Sequence, residues 1–253
     1  VVLGADGLGP LEGVVKIAAG FGHNYKESRC AILEDETLWC WGRNYSGQLG
    51  IGVSGTGYEQ ELLPVQTLGP YGGFLEGVKD VDCGYQFCCA VASNPFDASV
   101  TQAFCWGGGS YGQLGQGALA SSPTPVAVVT DQVGSPLLGV TSISAGSQHA
   151  CVTTDDHQVF CWGVGENGEL ADPDAGLRPW AEVIPGLEDV AGVASSISNT
   201  CAWTAQGEAF CWGSNLDGHL GLGFHAADMA VPQAVEGLTE VVEIEVGHSL
   251  VCA

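Results

Sequence analysis

Eleven cysteines hold most of the reactive chemistry in this 253-residue chain, and their spacing narrows what that chemistry is. Nine residues separate the members of Cys30/Cys40, Cys151/Cys161 and Cys201/Cys211. Cys89/Cys105 is a wider version of the same pair, and Cys83/Cys88 brackets Gly84-Tyr85-Gln86-Phe87. Thiols so placed can oxidise to disulfides, pack as small apolar residues, or bind zinc as thiolates. Zinc fits worst, since no C-x-x-C pair occurs and one hairpin offers two ligands where a closed structural site takes four. Folding each segment about its central turn sets the two cysteines opposite each other on antiparallel strands, at expected Cα separations of about 4.5–5.5 Å. That lies within disulfide reach, so five disulfides are expected, with buried free thiols as the alternative. Cys88 and Cys89 are consecutive, so in a strand they face opposite ways and serve different partners. Cys252 is left over, and its partner is expected just past Ala253, in a longer chain.

Little else in the chain reads as chemistry. Trp41, Trp106, Trp162 and Trp212 recur in the same local context. A ligand-stacking array competes there with packing of a large ring whose indole N–H is satisfied, and packing is the expectation. Trp39, Trp180 and Trp203 do not recur and are better candidates for surface contacts than the recurring set, with a structural role still the expectation for each. The recurring glycines lack a following Lys-Ser or Lys-Thr and read as turns, not phosphate loops. Asp172 and Asp174 could ligate calcium, but a solvated acidic loop is expected. His23 lies in an insertion, His149 stands where a sister unit has Phe87, and His219 replaces a glutamine of its sisters. Such replacement argues against a catalytic or metal-binding duty. No nucleophile, base and orienting group is identifiable along the chain, which leaves open only a set assembled in space, so the expectation is no enzyme activity, no metal and no cofactor.

The elements that position these residues come from an internal repeat. CWGRNYSGQLGIG begins at Cys40, CWGGGSYGQLGQG at Cys105, CWGVGENGELAD at Cys161 and CWGSNLDGHLGLG at Cys211. A second cassette occurs five times: VVKIAAG from Val14, VKDVDCG from Val78, VTSISAG from Val140, VAGVASS from Val190 and VVEIEVG from Val241. Within a unit every local signal is β: short apolar runs, a turn such as Ala205-Gln206-Gly207 whose glycine supplies a positive φ, and a proline-containing last strand, Val231 to Val235. Four short strands in about 50 residues is the arithmetic of a propeller blade. The expected units are 14–77, 78–139, 140–189, 190–240 and a partial 241–253, in a single β-propeller repeat domain over 1–253.

The unit V-x-x-I-x-A-G…C-A-x…C-W-G-x-N-x-x-G-Q-L-G-x-G resembles the repeat of the regulator of chromosome condensation family, from about Val14 to Ala253. WD-repeat propellers match less well, because no Trp-Asp pair closes a unit, and the double glycine of kelch repeats does not recur. The resemblance implies an all-β fold: a β-propeller of four-stranded antiparallel blades, usually seven to a ring. About four complete blades plus partial ones are legible here, so a fragment of a larger ring is expected. A smaller closed ring, or an open arc that closes by self-association, are the alternatives.

Asp and Glu number 29 against 6 Lys and Arg, a formal charge of −23. That surface repels phosphate backbones, so nucleic acid is not an expected partner. No apolar stretch is long enough to span a membrane as a helix. Paired cysteines imply an extracellular, cell-surface or periplasmic setting. The expected function is a protein-interaction scaffold of that setting, using the loops between strands. Candidate loops are Val53–Glu61, Asn94–Thr101, Ala118–Pro136, Asp172–Trp180 and Phe224–Ala230. The alternative, implied by the family's namesake, is nucleotide exchange on a small GTPase or a chromatin-associated role.

Overall fold

The computed structural model describes residues 2–20, 27–174, 176–225, 228–247 and 251–252. Four sheets of four antiparallel strands follow one another along the chain, each a simple meander. The first contains β1 (Val14–Ala19), β2 (Ser28–Leu33), β3 (Leu38–Arg43) and β4 (Gln60–Gln66). The second contains β5 (Val78–Cys83), β6 (Phe87–Asn94), β7 (Asp97–Gly107) and β8 (Ser122–Ala127). In the third are β9 (Val140–Ala145), β10 (His149–Thr154), β11 (Val159–Val164) and β12 (Leu177–Val183). The fourth holds β13 (Val190–Ser195), β14 (Asn199–Thr204), β15 (Ala209–Gly213) and β16 (Met229–Ala234). A two-stranded sheet, β17 (Glu245–Val246) with β18 (Val251–Cys252), begins a fifth.

Each second strand is buried on both sides: every residue of β10 is buried, as are four of six in β2. A strand covered on two faces loses the simple in–out alternation and reads as a continuous apolar run. The apolar clusters accordingly sit between sheets. One joins Cys30, Leu38 and Leu49 to Val81, Phe104 and Trp106; the next joins Leu114 and Val128 to Val152 and Trp162; a third joins Leu170 and Ile184 to Val193 and Trp212. The last sets Cys201 and Leu220 against Val241 and Ile244 of the fifth unit. A chain whose core is a series of seams between consecutive sheets, with the first strands β1, β5, β9 and β13 meeting one another in order, is built as a propeller.

The hairpins between second and third strands follow the sequence reading with one difference. Gly207 takes φ +80°, but the equivalent places hold Glu36 at +63° and His157 at +62°. Those turns are held by other means: Asp35 accepts hydrogen bonds from the Thr37 amide and hydroxyl, and the Thr154 hydroxyl donates to Asp156. In the second blade the hairpin is extended by six residues relative to its sisters and turns at Asn94 to Asp97. The strands also take parts of the expected loops: Gln60 and Glu61 belong to β4, and β8 lies inside 118–136. His23 lies outside the described residues, as does part of 224–230.

Candidate functional site

The C-W-G triplet divides its work among three directions. Its cysteine faces the second strand: Cys30↔Cys40, Cys89↔Cys105, Cys151↔Cys161 and Cys201↔Cys211 are direct cross-strand partners. All four pairs, and Cys83/Cys88, stand at disulfide geometry, with Cα atoms 4.0–4.1 Å apart. That is closer than the expected spacing and nearest the tighter of the two antiparallel pair types, about 4.5 Å. The Cys83/Cys88 bond is present only in the second blade. It packs against Cys30/Cys40 across the first seam, with Cys83 Sγ 3.8 Å from Cys30 Sγ. Cys30, Cys83 and Cys88 bring their sulfurs within 4.8 Å of one another; a metal would need them as thiolates, whereas each stands at disulfide distance from a partner cysteine.

The tryptophan of the triplet leaves its own sheet. Pairing of the third strand with the fourth slips between Cys and Gly in all four blades, so the tryptophan sits at a bulge. The glycine makes that bulge possible: Gly163 has φ +103°, and a Cβ there would lie 2.4 Å from the Gln148 carbonyl oxygen. Trp106 then donates its indole N–H to the Gln48 carbonyl of the preceding blade, Trp162 to that of Gln113, and Trp212 to that of Glu169, all at 2.8–2.9 Å. The acceptor in each case is the second residue of the preceding G-Q-L-G segment. Its last glycine lies under the ring; a Cβ on Gly115 would lie 2.9 Å from Trp162 Nε1. The third blade carries Ala171 there instead, at φ +52°. The packing role expected for the recurring tryptophans describes Trp106, Trp162 and Trp212. Trp39 and Trp180 are half-buried and donate to Thr37 and Glu182 in their own blades, while Trp203 lies over Gly192.

A second set of seam contacts was not anticipated from the sequence. Asp80 and Asp82 point from β5 toward β9, where Asp80 accepts the Ile143 amide (3.0 Å) and Asp82 the Ala145 amide (2.9 Å). Ser144 continues the pattern and accepts the Ser195 amide at 2.9 Å. Lys16 of β1 pairs with Asp80 from the other side. These acceptors replace the strand-to-strand ladder that the splayed blades cannot form. Burial is the main reason that the Asp82 carboxyl is pushed up to about 6, against amide hydrogen bonds and Lys16 that act the other way. The visible signal was two acids at alternate positions in V-K-D-V-D, a pattern that a half-exposed strand would equally show.

His149 is buried over Gly146, with its Nε2 3.0 Å from the Thr200 hydroxyl. Burial lowers its pKa to about 4. Phe87 lies over Gly84 in the same way, and the fourth blade substitutes both partners at once, with Ser196 donating to Asn199. His149 is therefore a ring that fills a seam. Asp172 is engaged by Arg178 at 2.7 Å and accepts the Asp174 amide, so a guanidinium occupies the acidic loop. The described parts of the other candidate loops that lie outside strands connect them, with Tyr58 and Leu119 exposed there and Tyr45, Tyr111 and Leu216 exposed in neighbouring turns.

The repeat defined as the regulator of chromosome condensation (RCC1) repeat matches residues 35–91, 102–153 and 206–253, and a second form of it matches 14–48 and 140–169. The chain belongs to the RCC1 repeat family. Human HERC2, an E3 ubiquitin-protein ligase, is 33% identical over 180 residues, which are 69% of this chain and 3% of HERC2. The ultraviolet-B receptor UVR8 of Arabidopsis thaliana is 29% identical over 67% of this chain and 34% of its own length. The chain thus spans a minor part of these curated relatives. Among solved structures, yeast RCC1 (Prp20) bound to Kap60 superposes with a TM-score of 0.75 at 20% identity, over 94% of this chain and 53% of that one. Human WBSCR16 gives 0.69 at 22% identity over 94% and 58%. At such identities the likeness is one of fold, and it establishes an RCC1-type β-propeller of all-β blades. No helix among the described residues is long and apolar enough to cross a membrane.

Proposed function

We propose that this RCC1-repeat chain is a non-enzymatic interaction scaffold of an oxidising compartment, extracellular, cell-surface or periplasmic, that holds a protein partner on its loop rims. The observation that carries the reading is the set of five cysteine pairs at disulfide geometry, one of which, Cys83/Cys88, lies outside the repeat pattern. Disulfides persist where thiols are not kept reduced. Rigid blades leave the rims free to vary, and a formal charge of −23 favours a basic partner surface and disfavours nucleic acid.

Affinity capture with the oxidised chain, run in parallel on secreted and on cytosolic protein, tests this. A saturable, salt-sensitive partner from the secreted fraction, cross-linked to rim loops, is the expected result; absence of any such partner overturns the proposal. A second reading has one observation in its favour: the yeast fold relative Prp20p is described as binding Gsp1p and histones. Accelerated nucleotide release from a small GTPase in the presence of this chain would favour that reading over the scaffold.

A further inference from the structure

The extended hairpin of the second blade does something its sisters do not. Its tip carries Phe96, 81% exposed, onto Tyr71 in the connection between the first and second blades; the ring centroids are 5.1 Å apart and tilted by 54°. Tyr71 is itself 64% exposed and Phe74 51%. Pro70, Phe74 and Pro95 line the adjoining groove of about 430 Å³, together with Glu76. At the next connection, where the neighbouring hairpin is short, the corresponding 130–136 loop carries no aromatic residue and closes on its own Asp131 side chain.

Both walls of the groove are braced. The Asn94 carboxamide oxygen accepts the Phe96 and Asp97 amides, its nitrogen donates to Gln102, and Asp97 accepts the Ser99 amide and hydroxyl. Opposite, Leu68 bridges to Phe74, the Gly69 amide donates to the Gly73 carbonyl, and Leu75 is buried as an anchor. Rings carried on braced backbone yet left in water give the fold little burial, and exposed aromatics on a rigid support are what interfaces use as anchors at low entropic cost. The charge beside them is negative: Glu76 lines the groove, Asp97 adjoins Phe96, and no Lys or Arg is among the lining residues.

We infer that this groove is a docking site for a partner segment that presents proline or leucine side chains next to arginine or lysine. The aromatic and proline walls suit an extended, proline-containing backbone, and the acids select the flanking positive charge. The inference deepens the scaffold reading and rests on it.

Fluorescence anisotropy of a labelled short peptide that alternates proline and leucine and ends in arginines tests it, with a control in which glutamates replace the arginines. The oxidised chain is expected to bind the arginine peptide at least about tenfold more tightly than the glutamate peptide, and Phe96→Ser, Tyr71→Ala or Glu76→Lys to weaken it at least about tenfold. All three positions are exposed, so thermal unfolding should stay at the parent value. Equal binding by the Phe96→Ser chain, no preference for arginine, or no binding overturns the inference. So does a concentration-dependent dimer that Phe96→Ser abolishes, which would mark the groove as a self-association site. If a secreted partner is captured equally by parent and Phe96→Ser chains, this site fails while the scaffold reading stands. Absence of any captured partner overturns the scaffold reading.

Discussion

Trp162→Ala is expected to remove about 3–5 kcal/mol of stability, the range for emptying a large aromatic site in a packed core. Trp162 is fully buried at the seam between the second and third blades, packed among Leu114, Val128 and Val152. Its loss also leaves the Gln113 carbonyl without its indole donor. Trp162→Phe separates the two contributions: most of the ring volume stays, while the orphaned carbonyl costs about 1–3 kcal/mol. Repeat proteins owe their cooperativity to coupling between neighbouring units. Denaturant unfolding of Trp162→Ala should therefore show a lower midpoint and a split or broadened transition, as the first two blades and the last two uncouple. A single transition at the parent midpoint would mean that the seams do not depend on the tryptophans.

Opposite acid responses are expected from Asp82→Asn and His149→Phe. Asp82 is raised to about 6 in the folded chain from its usual 3.8. Between those values the folded state holds a proton that the unfolded state releases, so this residue makes stability fall as pH rises toward 6. His149 is lowered to about 4 from 6.5. There the unfolded state takes up a proton that the folded state refuses, so this residue makes stability fall as pH drops from 6.5 toward 4. Each effect amounts to roughly 3 kcal/mol at most, and in the parent chain they oppose each other over nearly the same window. Unfolding free energies at about pH 4.5 and about pH 7 should show Asp82→Asn relatively weaker in acid and His149→Phe relatively stronger in acid. Phe87 occupies the corresponding position in the second blade, so phenylalanine suits the His149 site. Parallel shifts in the two variants would contradict the assignment.

The sequence was most informative where a repeat imposes the same physics several times. Cys, Trp and Gly in the C-W-G triplet each recur because each meets a separate constraint: a cross-strand partner, a neighbouring blade and a bulge. The strand pattern followed from that periodicity. The stitches between inner strands were harder to read, because the acceptor changes from the Asp82 carboxylate to the Ser144 hydroxyl, and the equivalent position in the fourth blade is Ala194, whose side chain can accept nothing. Trp39 and Trp180 do not recur and so show no role in a linear reading beyond a general structural one, and each finds a polar group two residues away in the same blade. The groove at Phe96 depends on a hairpin tip reaching a connection 25 residues earlier in the chain, a proximity that neither segment encodes alone. Loops carry no period, so the partner-binding surface was the least legible part.

The central claim is that each blade is stapled within itself while tryptophan and carboxylate contacts join it to its neighbours. Non-reducing peptide mapping of the chain, alkylated as it is taken from its native compartment, tests this most directly. Linked peptides for Cys30–Cys40, Cys83–Cys88, Cys89–Cys105, Cys151–Cys161 and Cys201–Cys211 are the predicted result. Alkylated free thiols at these positions, or a Cys30–Cys83 link across the first seam, would contradict it.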